Sequence, residues 1–492
     1  MVLHMNARRP TLLSLFGLSL FALAGCGDGK EVKGECEQGE ERALVCGLND
    51  RGLMHQVCPE HFPWWPSPAH SHCEDPDECV DGELGVGPGD ESDLVMRPTR
   101  CELGRWTPIG PAAPISISAG GHHSCAARLD GLLLCWGRNT ELQLGLQGPQ
   151  GDLFDRETPV YIEGDAVEDI TLVSAGRYHT CAMRSLQGDY TRVLCWGRNY
   201  DGQIGNGLAE ERAYTPQHVG RLAGGVVSLA AGYAHTCAAL RNGTVRCWGN
   251  AYAGALGEGS SEGMATTPVD VSELGDAIAV AAGNAFSCAL RETGEIACWG
   301  KNSHGQLGNG ESGDELYETR PVSVLGITDA VAVSAGNLHA CALLESGEVV
   351  CWGRAHDGEL GSEDAGSLPE AAPVRVTGLE DAVAIAAGDS FSCAVRESGE
   401  VVCWGRGVEG QLGGAPDNAE SSRTPIALQG MSDAISIAAG YRHACALSAS
   451  GELSCWGANE AGQLGVGQKG AALPPTDVPI PPNWQPIDWS LD

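Results

Sequence analysis

The stretch Ala231-Gly232-Tyr233-Ala234-His235-Thr236-Cys237, followed by Cys247-Trp248-Gly249, decides the fold because it recurs along the chain. Cys-Trp-Gly occurs seven times, with its tryptophans at Trp136, Trp196, Trp248, Trp299, Trp352, Trp404 and Trp456, a step of about 52 residues. A fixed period of this length is the mark of a repeat architecture. Upstream of each tripeptide lies an Ala-Gly-x-x-(His/Phe)-x-Cys block. Downstream of most lies a loop such as Gly305-Gln306-Leu307-Gly308. Each copy reads as four short strands: a Pro-Val segment, an apolar run such as Ala382-Val383-Ala384-Ile385, the Cys-Ala block, and the Cys-Trp block. The last two form a hairpin around turns such as Asn242-Gly243, where glycine tolerates positive φ. Four strands repeated seven times predict an all-β, seven-bladed β-propeller, in which radial repetition leaves few exposed strand edges.

The cysteines refine this reading. In six copies the two cysteines stand ten residues apart; in the second they stand fourteen apart, with the hairpin tip lengthened around Gln187 to Thr191. Folding each hairpin symmetrically places the two opposite one another, about 4.5 Å apart at Cα if they form a non-hydrogen-bonded pair, which a disulfide can bridge. The expected bridges are Cys125–Cys135, Cys181–Cys195, Cys237–Cys247, Cys288–Cys298, Cys341–Cys351, Cys393–Cys403 and Cys445–Cys455, one per blade. Each Trp directly follows the second Cys and so points to the other sheet face. The propeller is expected over 115–480. Its first copy lacks a preceding Pro-Val strand, and Pro475-Thr476-Asp477-Val478-Pro479-Ile480 is expected to supply one, joining the first blade and stapling the ring. The tail, 481–492, is expected to pack outside it through Trp484 and Trp489.

The N-terminal quarter is different. Arg8 and Arg9 precede an apolar run from Leu12 to Ala24, too short for a membrane span and typical of a signal peptide over 1–25. It ends in Leu23-Ala24-Gly25-Cys26, which resembles the bacterial lipobox. The resemblance implies that Cys26 becomes the first mature residue and carries diacylglycerol and an N-acyl chain, a stable anchor. A polar tether, 26–34, follows, and Gly27 after the lipidated cysteine favours the outer membrane, on its periplasmic or its surface face. Residues 35–106 hold Cys36, Cys46, Cys58, Cys73, Cys79 and Cys101 without the propeller period. They read as a small disulfide-rich module whose pairing the sequence leaves open. The 21 cysteines thus divide into one lipidated, six in the module and fourteen in blades, a usage that points to an oxidising compartment.

The chain carries 30 basic and 64 acidic residues, a net charge of −34. Such a surface repels phosphate backbones, so nucleic acid is excluded as a partner. The acidity itself reads as solubility, or as a face for a basic partner.

The pattern Ala-Ala-Gly…His-Thr/Ser-Cys-Ala-Leu…Gly-Glu-Val…Cys-Trp-Gly-x-Asn…Gly-Gln-Leu-Gly resembles the regulator of chromosome condensation repeat over about three quarters of the chain. The resemblance implies a seven-bladed propeller; the paired cysteines resemble the family's exported bacterial members. Fold does not give function. The family's nuclear member is an exchange factor for a small GTPase and docks on nucleosomes, roles that export and acidity contradict. Its plant ultraviolet-B photoreceptor carries Trp after the Gly of the Ala-Gly block. Here that position holds Gly121, Arg177, Tyr233, Asn284, Asn337, Asp389 and Tyr441, which does not support photoreception. A secreted β-lactamase inhibitor of the family clasps its target with a propeller face.

The residues suggest no catalysis. His123, His179, His235, His339 and His443 share one repeat position with Phe286 and Phe391, and a site that accepts Phe is structural. The acidic run Asp75-Pro76-Asp77-Glu78 lacks the spacing of a calcium loop. His55, His61, His70 and His72 accompany cysteines that export commits to disulfides rather than zinc. No nucleophile elbow or phosphate loop is present in the sequence. We therefore expect no metal and no cofactor, and a monomeric, non-catalytic binding or scaffold lipoprotein of the cell envelope. Its partner is an envelope or extracellular protein or a glycan. An envelope enzyme inhibitor or a hydrolase is the alternative. The expected contacts are the residues after the repeated Gly, which vary while their surroundings do not: Arg177, Tyr178, Tyr233, Asn284, Asn337, Asp389, Tyr441 and Arg442. Rigid scaffolds present contact residues on such turns, and Tyr and Arg are enriched at binding hot spots. Ordinary variation of solvated loops would give the same pattern.

Overall fold

Blade 3 shows how the repeat folds. Its strands are Val226–Ala231, His235–Leu240, Val245–Asn250 and Met264–Asp270, paired antiparallel in that order. Cys237 stands directly opposite Cys247, because the Asn242-Gly243 turn lies midway between them. Six further four-stranded sheets repeat the pattern, so the described residues contain seven blades, over 114–161, 170–218, 226–270, 277–323, 330–375, 382–427 and 434–477. The computed structural model describes residues 114–481 apart from 129, 147–152, 163–166, 187–190, 223–224, 367 and 415–420. Before residue 114 it describes strands only: Glu41–Cys46, Gly52–Val57 and His72–Cys73 in one sheet, Leu84–Gly87, Arg97–Glu102 and Arg105–Pro108 in another. The leader, Cys26, the tether, the side chains of the 35–106 module, the lengthened hairpin tip at 187–190 and the tail from 482 lie outside the described residues.

Seven disulfides, one in each blade, join the pairs named above, with Cα–Cα separations of 4.0–4.1 Å. In every blade the bridged cysteines are directly opposed. Each bridge packs against the tryptophan of the following blade: Cys125–Cys135 with Trp196, Cys237–Cys247 with Trp299, and Cys445–Cys455 with Trp136 across the seam of the ring. All seven indoles are buried. Each indole N–H donates back to a loop carbonyl of the preceding blade, as Trp196 does to Gln143 O at 2.9 Å. Across the seam, Trp136 donates to Gln463 O at 2.9 Å. The core is thus seven equivalent wedges between blades, each closed by a disulfide on one side and an indole on the other.

Two expectations are corrected. The Pro-Val segment is the last strand of a blade, not the first. It pairs with the preceding Cys-Trp strand, as Val269 does with Cys247. Accordingly the C-terminal strand Gly470–Asp477 completes blade 7, where Thr476 opposes Cys455, and it does not join blade 1. Blade 1 needs no added strand, because Arg156–Tyr161 is its outer one. The residues just after the C-terminal strand do touch blade 1: Arg128 and the Tyr161 hydroxyl both donate to Pro481 O, at 2.9 and 3.0 Å. The ring is therefore closed by packing and hydrogen bonds rather than by a shared strand.

Candidate functional site

The innermost strand of each blade ends in Ala-Gly, and there the seven blades meet. Gly120, Gly176, Gly232, Gly283, Gly336, Gly388 and Gly440 approach one another so closely that a Cβ at any of them would lie 2.3–2.8 Å from the glycine carbonyl of the next blade. Only glycine fits there, which is why the block recurs. The following residue donates its backbone N–H to the next blade: Gly121 to Gly176 O, Arg177 to Gly232 O, Tyr233 to Gly283 O, Asn284 to Asn337 O, Asn337 to Gly388 O, Asp389 to Gly440 O, and Tyr441 to Gly120 O. These seven bonds, 3.0–3.2 Å long, run unbroken round the axis.

The seven donors line a mouth of about 100 Å³. Sequence reasoning could not tell contact residues from loop variation; the structure brings Arg177, Tyr233, Asn284, Asn337, Asp389 and Tyr441, with Gly121, into one ring, all side chains half-buried. Behind it the channel narrows to a sleeve of small residues such as Ala119, Ser174 and Ala282. Tyr178 and Arg442 stand one step outward. Tyr178 meets Tyr233 edge-on at 6.1 Å, and Arg442 lies over the Tyr441 ring at 5.1 Å.

Arg177 organises one side of the mouth. Its guanidinium lies 4.3 Å from the ring of Tyr233, 4.6 Å from Tyr441 and 5.2 Å from Tyr178, all within cation–π range. Tyr441 belongs to blade 7, and Arg177 reaches it across blade 1 because blade 1 offers only Gly121 there. His122, beside Gly121, packs on Tyr441 at 5.7 Å. Its pKa is lowered to about 4 by burial and by Arg138, Arg177 and Arg442 around it. The opposite side carries Asn284, Asn337 and Asp389. Burial pushes the Asp389 carboxyl up. Ser390 donates to Asp389 Oδ2 at 3.1 Å while accepting from Arg354 at 2.7 Å.

Sequence reasoning missed a second circle of residues. The position after Cys-Trp-Gly holds Arg138, Arg198, Asn250, Lys301, Arg354, Arg406 and Ala458, basic in five of seven copies. Its backbone N–H bonds to the second variable residue, as Arg138 does to His122 O and Arg198 to Tyr178 O, so it lies on the same face. The recurrence of a basic residue at one phase, in so acidic a chain, was the available signal. Several of these cations are paired: Arg198 with Asp201, Arg354 with Asp357 and Glu359, and Arg406 with Glu409, which also pairs with Arg442 of the rim. Glu359, where most blades have Gln, is itself pushed up to about 7 by burial. Arg138 and Arg177 have no carboxylate within 4 Å among the described residues.

The five repeated histidines lie below the mouth and are fully buried. Each Nε2 meets a hydroxyl of the next blade: His123 with Thr180, His179 with Thr236, His235 with Ser287, His339 with Ser392, and His443 with Ser124, at 2.8–2.9 Å. Such groups hold blades together and cannot reach a solvent-borne substrate.

Family models place this chain. The regulator of chromosome condensation (RCC1) repeat model matches residues 130–183, 192–239, 293–343, 346–395 and 398–447. A second model of the same repeat matches seven segments from 115–143 to 434–463, one at each blade.

The chain belongs to the RCC1 repeat family.

This RCC1-family chain is 35% identical over 318 residues to the ultraviolet-B receptor UVR8 of Arabidopsis thaliana, covering 63% of this chain and 70% of the relative. It is 30% identical over 357 residues to the mitochondrial RCC1 domain-containing protein RUG3 of the same plant, covering 68% and 76%. Among solved structures, yeast RCC1 bound to Kap60 superposes with a TM-score of 0.60 at 25% identity, covering 70% of this chain and 83% of that one. Human WBSCR16 gives 0.62 at 22% identity, covering 71% and 94%, a likeness of fold.

Proposed function

We propose that this RCC1-family chain is a non-catalytic binding lipoprotein of the bacterial envelope, which recognises a protein or glycan through the mouth of its propeller. One observation carries the reading: the residues after the repeated Gly, which differ from blade to blade, converge on a single ring, while the Cys, Trp and Gly that build the scaffold recur in every blade. A rigid scaffold with variable residues on its turns is the arrangement of a recognition surface. The family supports a binding role, since yeast RCC1 is solved in complex with Kap60.

The test is replacement of Arg177, Tyr178, Tyr233 and Tyr441 together by alanine. The ring of backbone bonds survives, so the thermal midpoint is expected to stay while capture of a partner from envelope extract is lost. Capture at the parental level by the folded variant would sink the reading.

The envelope location is supported by the Leu23-Ala24-Gly25-Cys26 motif and by seven disulfides, which persist in oxidising compartments. A Cys26→Ala chain is expected to move from the membrane to the soluble fraction. Its continued sedimentation with membranes would argue against lipidation.

A further inference from the structure

We infer that the basic side of the mouth is an anion pocket for one acidic side chain, Asp or Glu, presented by a protein whose neighbouring surface is neutral or basic. This rests on the mouth being the recognition surface and names the chemistry it recognises. His122 packs on Tyr441, over whose ring the guanidiniums of Arg177 and Arg442 also lie, and the backbone N–H of Arg138 donates to His122 O; the charges of all three arginines lower the proton affinity of His122. His122 Nδ1 is buried and finds no hydrogen-bond partner among the described residues. Among the described residues Arg138 and Arg177 have no carboxylate partner, unlike Arg198, Arg354 and Arg406 at neighbouring positions. The rings of Tyr233, Tyr441 and Tyr178 lie 4.3, 4.6 and 5.2 Å from the Arg177 guanidinium, and no carboxylate among the described residues takes up its N–H donors, whose fork suits a carboxylate. The tyrosine rings also displace water, which strengthens the attraction.

Size and charge select the ligand. The mouth, about 100 Å³ and lined on this side by Arg177, Tyr233 and Tyr441, takes the end of a side chain and not a folded segment. A net charge of −34 repels polyanions at long range, so sulfated glycans, nucleic acids and anionic membranes are disfavoured. A lone carboxylate on a neutral or basic surface satisfies both the local pocket and the acidic surroundings.

Selection of a random peptide display library on the full chain tests this. Enriched sequences are expected to share one Asp or Glu flanked by neutral or basic residues. A synthetic copy should lose about tenfold in affinity, about 1.4 kcal/mol, when the acid is replaced by its amide. The same loss is expected in Arg177→Met and Arg138→Met chains that keep the parental thermal midpoint, while the exposed control Arg320→Ala binds normally. Enriched peptides without an acid, or undiminished binding by both Met variants, would overturn the pocket. So would a heparin fragment that binds more tightly than any peptide through the same arginines. If acid-free peptides bind and are lost in the fourfold alanine chain, the pocket falls and the mouth stands. If peptides bind that chain unchanged, the mouth itself falls.

Discussion

At the scale of single residues, the interfaces between blades are matched in pairs. Thr180 gives its hydroxyl proton to Gln143 O at 2.7 Å, so His123 Nε2 must carry the proton of the bond between them. The same logic holds at the other four histidines. At the remaining two interfaces both members change: Phe286 packs with Ala340, and Phe391 with Ala444. A buried imidazole without its hydroxyl, or the reverse, would leave a polar group unsatisfied. Thr236→Ala is therefore expected to cost about 1–3 kcal/mol by urea denaturation. Adding His179→Phe recreates the apolar pair, and the double variant should be less destabilised than the sum by about 1 kcal/mol. Additive losses would show the two are not coupled. The pair also sets a pH response. Burial lowers the His179 pKa to about 3, against 6.5 for the free side chain. The unfolded chain then binds more protons below pH 6.5. The contribution is whole above that value and declines by about 1.4 kcal/mol per pH unit as pH falls towards 3. Stability of the double variant should fall less steeply over that window; equal slopes would remove His179 as the cause.

At the scale of strands, the sequence made the number of strands per blade and the disulfide register readable, and misplaced the phase of the Pro-Val strand. The hairpin register was legible because a turn such as Asn242-Gly243 fixes which residues oppose. The Pro-Val segment carries no such mark. It stands between two copies, and apolar pattern alone lets it pair with the Cys-Trp strand before it or with the next copy. The loop after Cys-Trp-Gly decides: Asn199 Oδ1 accepts from Ile204 N, and Gln203 Oε1 from Asp201 N, a compact turn that sends the chain straight back along the same sheet. Removing residues 470–492 therefore strips the outer strand from blade 7. Hydrogen exchange should quicken over Leu453–Asn459, its ladder partner, and remain slow over Leu133–Gly137 in blade 1. The opposite result would restore the C-terminal strand to blade 1.

At the scale of the whole molecule, closure is accomplished by repetition. The seam between blades 7 and 1 uses the indole, hydroxyl and backbone bonds that recur at the other interfaces, and Arg128 and Tyr161 also hold Pro481 there. The candidate site was legible to the extent that it followed the period: seven variable positions at one phase had to lie at one radius. What the period could not reveal was contact across blades. The meeting of Arg177 with Tyr441 depends on the bareness of Gly121 between them, and the role of Arg138 depends on a backbone bond between two segments of its blade.

The closed ring of backbone bonds has a genetic consequence. Main-chain atoms hold the circle, so the identity of each rim side chain is free of the duty of holding it. What the mouth displays is written in seven codons, one per repeat, Gly, Arg, Tyr, Asn, Asn, Asp and Tyr in order of blades. A lineage can rewrite that short text one letter at a time, and select a new ligand without renegotiating the fold that presents it.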